Sequence, residues 1–197
     1  MYLYGASGHA KVVLDVVKAM GQQVEAIFDD NREKHMLHDV PVLHEWNGET
    51  PVLISIGDNA TRKRIAEKLR CDFIAGVHPS AIVSSTVSID AGTVVMQGAI
   101  IQSDSIVGKH CIINTGASID HECRIADFVH ISPHATLCGN VQVGEGTWIG
   151  AGSVVIPGVH IGKWCVIGAG SVVLHDIPDG VVACGNPCEV KRKNLNK

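Results

Sequence analysis

Two sets of residues in this sequence have the types and spacing to do chemistry. The first lies near the N-terminus, where Gly5-Ala6-Ser7-Gly8-His9 follows a short apolar run, Tyr2 to Tyr4, and precedes a helical pattern with Val12, Val13, Val16, Val17 and Met20 on one side. A glycine loop between a strand and a helix gathers backbone N–H groups at the positive end of the helix, which suits an anion. Gly5-x-x-Gly8 lacks the third glycine of the dinucleotide fingerprint, so taken alone the loop also reads as a tight turn without a ligand. Two more turns follow apolar runs: Asp29-Asp30 after Val24 to Phe28, and Gly57-Asp58-Asn59 after Val52 to Ile56, ahead of a helix over Ala60 to Leu69. In a parallel sheet all three turns fall at one edge, where a carboxylate accepts hydrogen bonds from a ribose or base. The expected ligand is a nucleotide. Because about 70 residues build only half of a doubly wound fold, a nucleotide sugar fits better than a dinucleotide.

The second set is histidine: His110, His121, His130, His134 and His160. An imidazole that titrates near 6.5 can act as a base or bind zinc. Zinc requires its nitrogens clustered at about 2.0–2.1 Å, yet no two histidines between His78 and His175 are eighteen residues apart, the spacing that would stack them in the repeat described next. No metal site is expected. His110, His160 and His175 read as solvated side chains. His121 stands between Asp120 and Glu122, and either carboxylate could fix its tautomer and steady the imidazolium.

The elements that position these histidines are written in a six-residue period. From Ala75 to Asp176 the chain divides into seventeen hexads without insertion, and the third position is always Val, Ile or Leu. The first position is always Ala, Val, Thr, Ser or Cys. Apolar residues two apart with a break every six describe short strands with inward side chains, each followed by a corner. Three sides close a triangular coil, and eighteen residues per coil stack residue i on i+18 at about 4.8 Å. The division expected is an α/β region at 1–74, a parallel β-helix at 75–176 and a C-terminal extension at 177–197.

Composition excludes several other classes. Sixteen Lys and Arg against twenty Asp and Glu give a net charge of -4, which offers no electrostatic footprint for nucleic acid. No apolar run approaches the roughly 18 to 20 residues of a membrane span, and the N-terminus does not read as a secretory signal, so a cytoplasmic protein is expected. Seven cysteines without a CxxC pair suit reduced thiols, three of them (Cys111, Cys123, Cys165) in the small first slot of a hexad.

The opening YGASGH, the Asp-Asp pair, the Ile-Gly-Asp-Asn turn and the hexads containing NTGASIDHE together resemble the bacterial sugar acetyltransferases of the PglD and NeuD type. The resemblance runs through the closing stretch from Gly185 to Arg192. It implies a left-handed β-helix, a homotrimer, and direct transfer of acetyl from acetyl-CoA, in the closest cases to the 4-amino group of a UDP-linked 4-amino-4,6-dideoxy sugar. It places the base on His121 and its partner acid on Glu122. Acetyl-CoA contacts fall on Asn114, His130, Ala151 and Ala169, the last two departing from the family in side chain where backbone groups do the binding. Nucleotide-sugar contacts fall on Gly5, Ala6, Ser7, Gly8, His9, Asp29, Asp30 and Gly57, with Asp58 an added carboxylate that could alter sugar selectivity. Sialic-acid O-acetyltransferases share the family. A γ-type carbonic anhydrase and a non-enzymatic nucleotide-sugar-binding trimer are the readings outside it.

The period gives a check that does not depend on resemblance. Counting hexads modulo three puts Asn114, His130, Ala151 and Ala169 on one side of the prism and His121 at a corner of the next. Six extended residues span roughly 20 Å at most. The base and the coenzyme stripe are therefore expected to meet between subunits.

Overall fold

The computed structural model describes residues 1–195; Asn196 and Lys197, the end of the basic tail, lie outside the described residues. The N-terminal region runs β1 (Tyr2–Tyr4), α1 (Gly8–Ala19), β2 (Ala26–Phe28), β3 (Met36–Leu37), β4 (Val40–Leu43), β5 (Val52–Ile54) and α2 (Asn59–Leu69). Its sheet has the order β3-β4-β2-β1-β5, with β1 parallel to both β2 and β5. The loops after β1, β2 and β5 thus share one edge, as the apolar runs predicted. The β3–β4 hairpin, absent from the sequence reading, extends the other side of β2.

Seventeen two-residue strands follow, from β6 (Gly76–Val77) to β22 (Val172–Val173), one per hexad. They form three parallel sheets in which each strand pairs with the one three along, as between Ile113 and Ile131 or Ile119 and Leu137. Seventeen strands at three per coil make this a left-handed β-helix of nearly six coils. From Val95 to Val173 every third-position aliphatic is buried, each contributing about 1.5–3 kcal/mol. First-position hydroxyls close the corners: Thr93 Oγ1 donates to Gly108 O at 2.6 Å and accepts from Cys111 N at 2.9 Å, and Thr147 repeats this with Gly162 and Cys165. A small side chain is needed because the turn crosses directly above it. The C-terminal residues do not leave the prism. β23 (Val181–Cys184) pairs in parallel with β21 (Val166–Ile167), and β24 (Glu189–Lys193) folds back on it.

The two regions meet along the sheet that contains β6, β9 (Val94–Val95), β12 (Ile112–Ile113), β15 (His130–Ile131), β18 (Trp148–Ile149) and β21, and a buried arginine holds the seam. Arg62 donates through Nε to His110 O at 2.7 Å, through Nη1 to Ile56 O and Gly57 O, and through Nη2 to Asn59 Oδ1 and Phe128 O. Burial lowers its pKa to about 10, which still leaves a cation at neutral pH. His110, read as solvated, is instead 5% exposed, stacked on Phe128 at 5.2 Å and edge-on to Phe73 at 4.5 Å. The N-terminal region covers that corner, which no single-residue reading of the hexad could foresee. Among the described residues no helix is long and apolar enough to cross a membrane.

Candidate active site

The loop after β1 is shaped by its neighbours. Gly5 has φ +106°, and a Cβ there would stand 2.5 Å from Ile56 Cγ1, so only glycine lets the loop pass β5. Ser7 is the N-cap of α1 but makes no side-chain cap, and no acidic residue occupies the first turn. The helix end stays electropositive. A Cβ added at Gly8 would meet nothing within 4 Å, which leaves its approach open.

The two aspartates have separate tasks. The Asp29 carboxylate accepts Ala6 N at 2.6 Å, Asn31 N at 2.9 Å and Lys34 Nζ at 3.1 Å, while Lys34 also donates to Ser7 Oγ at 2.9 Å. Burial raises its pKa, but these donors bring it below the usual carboxylate value. Asp29 therefore sets the loop's shape as well as lining the cavity. Asp30 accepts the Tyr4 hydroxyl at 2.9 Å, and burial followed by this carboxylate raises Tyr4 to about 12, so it remains a phenol. Tyr4, Gly5, Asp29, Asp30 and Ile56 line a cavity of about 370 Å³ together with Arg64 and Lys68 of α2. Asp58 is engaged as the N-cap of α2, accepting Thr61 N at 2.8 Å.

Next to this loop lies the stripe of Asn114, His130, Ala151 and Ala169. His9, in the first turn of α1, has its ring 6.5 Å from that of His130 on β15 (His130–Ile131), and a Cβ at Gly57 would stand 3.8 Å from the His9 ring. His130 Nε2 is 3.0 Å from Asn114 Nδ2, and Trp148 lies parallel to its ring at 5.5 Å. Burial, then the Arg62 cation, lowers His9 to about 4; the same causes and His9 itself lower His130 to about 3. Both rings are neutral at physiological pH. From His130 a largely apolar groove of about 430 Å³ continues past Trp148, Gly150 and Ala151 to Gly168 and Ala169. Gly150 is required there, since a Cβ would sit 2.5 Å from Ala169 N.

His121 and Glu122 lie elsewhere. They form the corner after β13 (Ser118–Ile119), in the sheet adjoining the one that carries the stripe, so a full side of the prism separates them from the corner of Ala151 and Ala169. Glu122 adopts φ +58° and its Oε2 is 3.1 Å from His121 Nδ1, whereas Asp120 accepts the His121 backbone N–H at 2.8 Å. Of the two flanking carboxylates, Glu122 is the one within hydrogen-bonding distance of the His121 ring. His121 is exposed, and its ring passes so close over Gly139 that a Cβ there would lie 2.5 Å from Cε1.

The structure thus brings Gly5 to His9, Asp29, Asp30, Gly57, Asn114 and His130 to one region, continues it through Ala151 and Ala169, and leaves His121 and Glu122 apart within one chain. Sequence reasoning missed Arg62, and read Trp148 as an exposed side chain suited to interface packing rather than as a neighbour of His130. Arg62 shares its helical face with Ile65, Ala66 and Leu69, and a cation in an otherwise buried i, i+3, i+4, i+7 row is the signal that could have found it. Among the described residues no three His, Cys, Asp or Glu side chains are grouped to hold a metal ion.

Comparison with known proteins agrees with this anatomy. Residues 1–69 match the PglD N-terminal domain, and residues 140–175 match the bacterial transferase hexapeptide repeats. Perosamine N-acetyltransferase from Caulobacter crescentus, solved as a variant in complex with CoA and GDP-perosamine, is 39% identical with a TM-score of 0.93, covering 96% of this chain and 95% of that one. The acetyltransferase domain of PglB from Neisseria gonorrhoeae FA1090, in complex with acetyl coenzyme A, is 34% identical with a TM-score of 0.90, covering 96% and 98%. UDP-N-acetylbacillosamine N-acetyltransferase of Bacillus subtilis is 43% identical over 107 residues, a match spanning 48% of this chain and 50% of that protein. The chain belongs to the hexapeptide-repeat sugar acetyltransferases of the PglD type.

Proposed function

We propose that this protein transfers the acetyl group of acetyl-CoA to the amino group of a nucleotide-linked 4-amino-4,6-dideoxy sugar, with His121 as general base. One observation carries the reading: the acceptor loop, through His9, stands 6.5 Å from His130 at the start of the groove that runs past Ala151 and Ala169. The nucleotide would sit in the cavity of Tyr4, Asp29 and Asp30, its phosphates on the open backbone N–H groups at Ser7 to His9, and its sugar toward the seam. UDP is the form expected from the sequence resemblance. The GDP-linked sugar bound by the Caulobacter relative makes GDP the direct comparison.

The chemistry is a single displacement at the thioester carbonyl. The amine nitrogen forms a bond to the acetyl carbon, the carbon–sulfur bond breaks, and the proton lost by nitrogen passes to His121 Nε2 and on to the departing thiolate. Glu122 at Nδ1 leaves Nε2 free to accept that proton and offsets the charge that develops on the ring.

Because His121 lies a prism side away from the stripe, we infer a closed homotrimer in which one chain's base serves the neighbour's groove. The outward column beside His121's corner supports this: Ile82, Ile100, Ser118, Thr136, Val154 and Val172 are apolar or small, with Ile82 66% and Val154 37% exposed. The test is mass analysis of products from acetyl-CoA and a panel of UDP-, dTDP- and GDP-linked amino sugars. Gain of one acetyl on nitrogen is the expected result. Absence of product with every amino acceptor, or acetylation of a hydroxyl, would overturn the assignment.

A further inference from the structure

The seam between α1 and the β-helix holds two imidazoles with enclosed, unpartnered nitrogens. His9 Nε2 and His130 Nδ1 have no hydrogen-bond partner among the described residues, and buried polar atoms in folded proteins rarely go without one. His130 is 8% exposed, and the two ring centroids are 6.5 Å apart with the planes inclined by 50°.

The hydrogen bonds around His130 determine where its proton sits. Asn114 Oδ1 accepts the Thr115 backbone N–H at 2.8 Å, which turns the amide nitrogen toward His130 Nε2 at 3.0 Å. An amide nitrogen only donates, so Nε2 is the acceptor and the proton is on Nδ1. Trp148 lies flat on the ring, inclined by only 3°, and its own Nε1 is tied to Ser132 Oγ at 2.6 Å, which holds this orientation. The Gly57 carbonyl favours a proton on the same ring but is outside hydrogen-bonding geometry for Nδ1, and it already accepts Arg62 Nη1 at 3.1 Å. His130 Nδ1–H is therefore a buried donor in need of an acceptor. Across the seam, His9 Nε2 is complementary if it accepts, with the His9 proton on Nδ1, which is not enclosed in the same way.

We propose that one hydroxyl oxygen bridges the two rings, accepting from His130 Nδ1–H and donating to His9 Nε2, so that Asn114 sets the tautomer of His9 across the domain boundary. A hydroxyl is the simplest group that donates and accepts at once; a water and a sugar hydroxyl share this chemistry. His9 then presents Nδ1–H at the loop that receives the acceptor. This last consequence rests on the proposed function, whereas the tautomers do not. His9 and His130 are positioning residues in this scheme, acting through the hydroxyl and through Asn114.

The experiment is nitrogen NMR of the full chain labelled with ¹⁵N-histidine at pH 8, with the two rings assigned by His9→Gln and His130→Gln. In the unaltered protein both rings should carry the proton on Nδ1. Asn114→Asp replaces the donor by a carboxylate acceptor, so His130 should move its proton to Nε2, the hydroxyl should reverse, and His9 should follow to Nε2. His130→Phe removes the donor altogether and should leave His9 a mixture of tautomers. A His9 protonated on Nε2 in the unaltered protein, a His9 that ignores the switch at His130, or a His9 unchanged beside Phe would each overturn the proposal. If the Nδ1–H form of His9 is present without nucleotide sugar, the oxygen is water; if it forms only on saturation with a UDP- or GDP-linked amino sugar, the oxygen belongs to the acceptor. A mixed tautomer under both conditions overturns the bridge. Loss of acetyl transfer with these tautomers intact would count against the proposed function alone.

Discussion

His121 Nδ1 lies 3.1 Å from Glu122 Oε2, on a corner where Glu122 takes the left-handed backbone conformation, φ +58°. Adjacent residues rarely face each other, and it is this turn that folds the carboxylate back to the imidazole. Replacing His121 by Ala should lower kcat by about 10² to 10⁴ with acetyl-CoA binding nearly unchanged. Glu122→Gln keeps the shape and removes the charge, so a smaller loss in kcat than that of His121→Ala is expected. Steady-state kinetics together with calorimetry of acetyl-CoA binding check both.

Gly139 gives a way to move the proposed base without changing it. Its φ is not in the left-handed range, so alanine suits the backbone, but the new Cβ would meet the His121 ring at 2.5 Å. The ring is exposed and can swing away. Gly139→Ala should therefore melt within a few degrees of the parent while kcat falls at least about tenfold. A full kcat would show that the His121 rotamer seen here is not the working one.

Gly8→Val tests the acceptor loop. A Cβ at Gly8 would meet no atom of another segment within 4 Å, so the fold should tolerate the substitution, yet the side chain projects at the helix end where the proposed phosphates would sit. KM for the nucleotide sugar should rise about tenfold or more with acetyl-CoA binding unaltered. An unchanged KM in the folded variant would put the acceptor elsewhere.

The hexad period made the β-helix legible, and it placed Asn114, His130, Ala151 and Ala169, picked out by resemblance, on one side of the prism once each coil is eighteen residues. The separation of His121 from that stripe was legible for the same reason. What the period could not carry is contact between distant segments. Asp29 was read as a ribose or base ligand; its carboxylate lines the cavity and also accepts from the nearby Asn31 N and Lys34 and from Ala6 N, and only the Ala6 contact, from a distant segment, has no local pattern. His110 was read as solvated, as a single histidine on an outer coil usually is; Phe73 and Arg62 come from the other domain to cover it. In the β3–β4 hairpin β4 alternates buried and exposed, but its exposed positions are Pro41 and Leu43, so the sequence shows no polar alternation.

The buried imidazoles predict an acid-sensitive fold. Burial first, and the Arg62 cation second, lower His9 and His110 to about 4 and His130, on which His9 also acts, to about 3. The unfolded chain binds these protons near 6.5 while the folded one does not, so stability is full above about pH 6.5 and declines as pH falls through 6 toward 4. The slope is at most about 1.4 kcal/mol per pH unit for each ring. Urea titrations between pH 4.5 and 7.5 should show this decline, and His110→Phe should flatten part of it. A stability independent of pH across that range would mean that the seam is open to water.

The central claim, that one chain's base serves another chain's coenzyme groove, is tested most directly by mixing two inactive proteins. His121→Ala removes the base, and Ala151→Trp fills the groove beside Ala169 without touching the base. After each variant is shown to be inactive and folded, co-assembly of the two should give mixed trimers in which an intact His121 from one chain meets an intact groove from the next. Acetyl transfer should then return to a measurable fraction of the parent rate, reflecting the subset of interfaces that pair two intact halves. If trimers verified as mixed stay as inactive as their parents, each site is built within a single chain and the shared-site geometry inferred from the His121 corner is wrong.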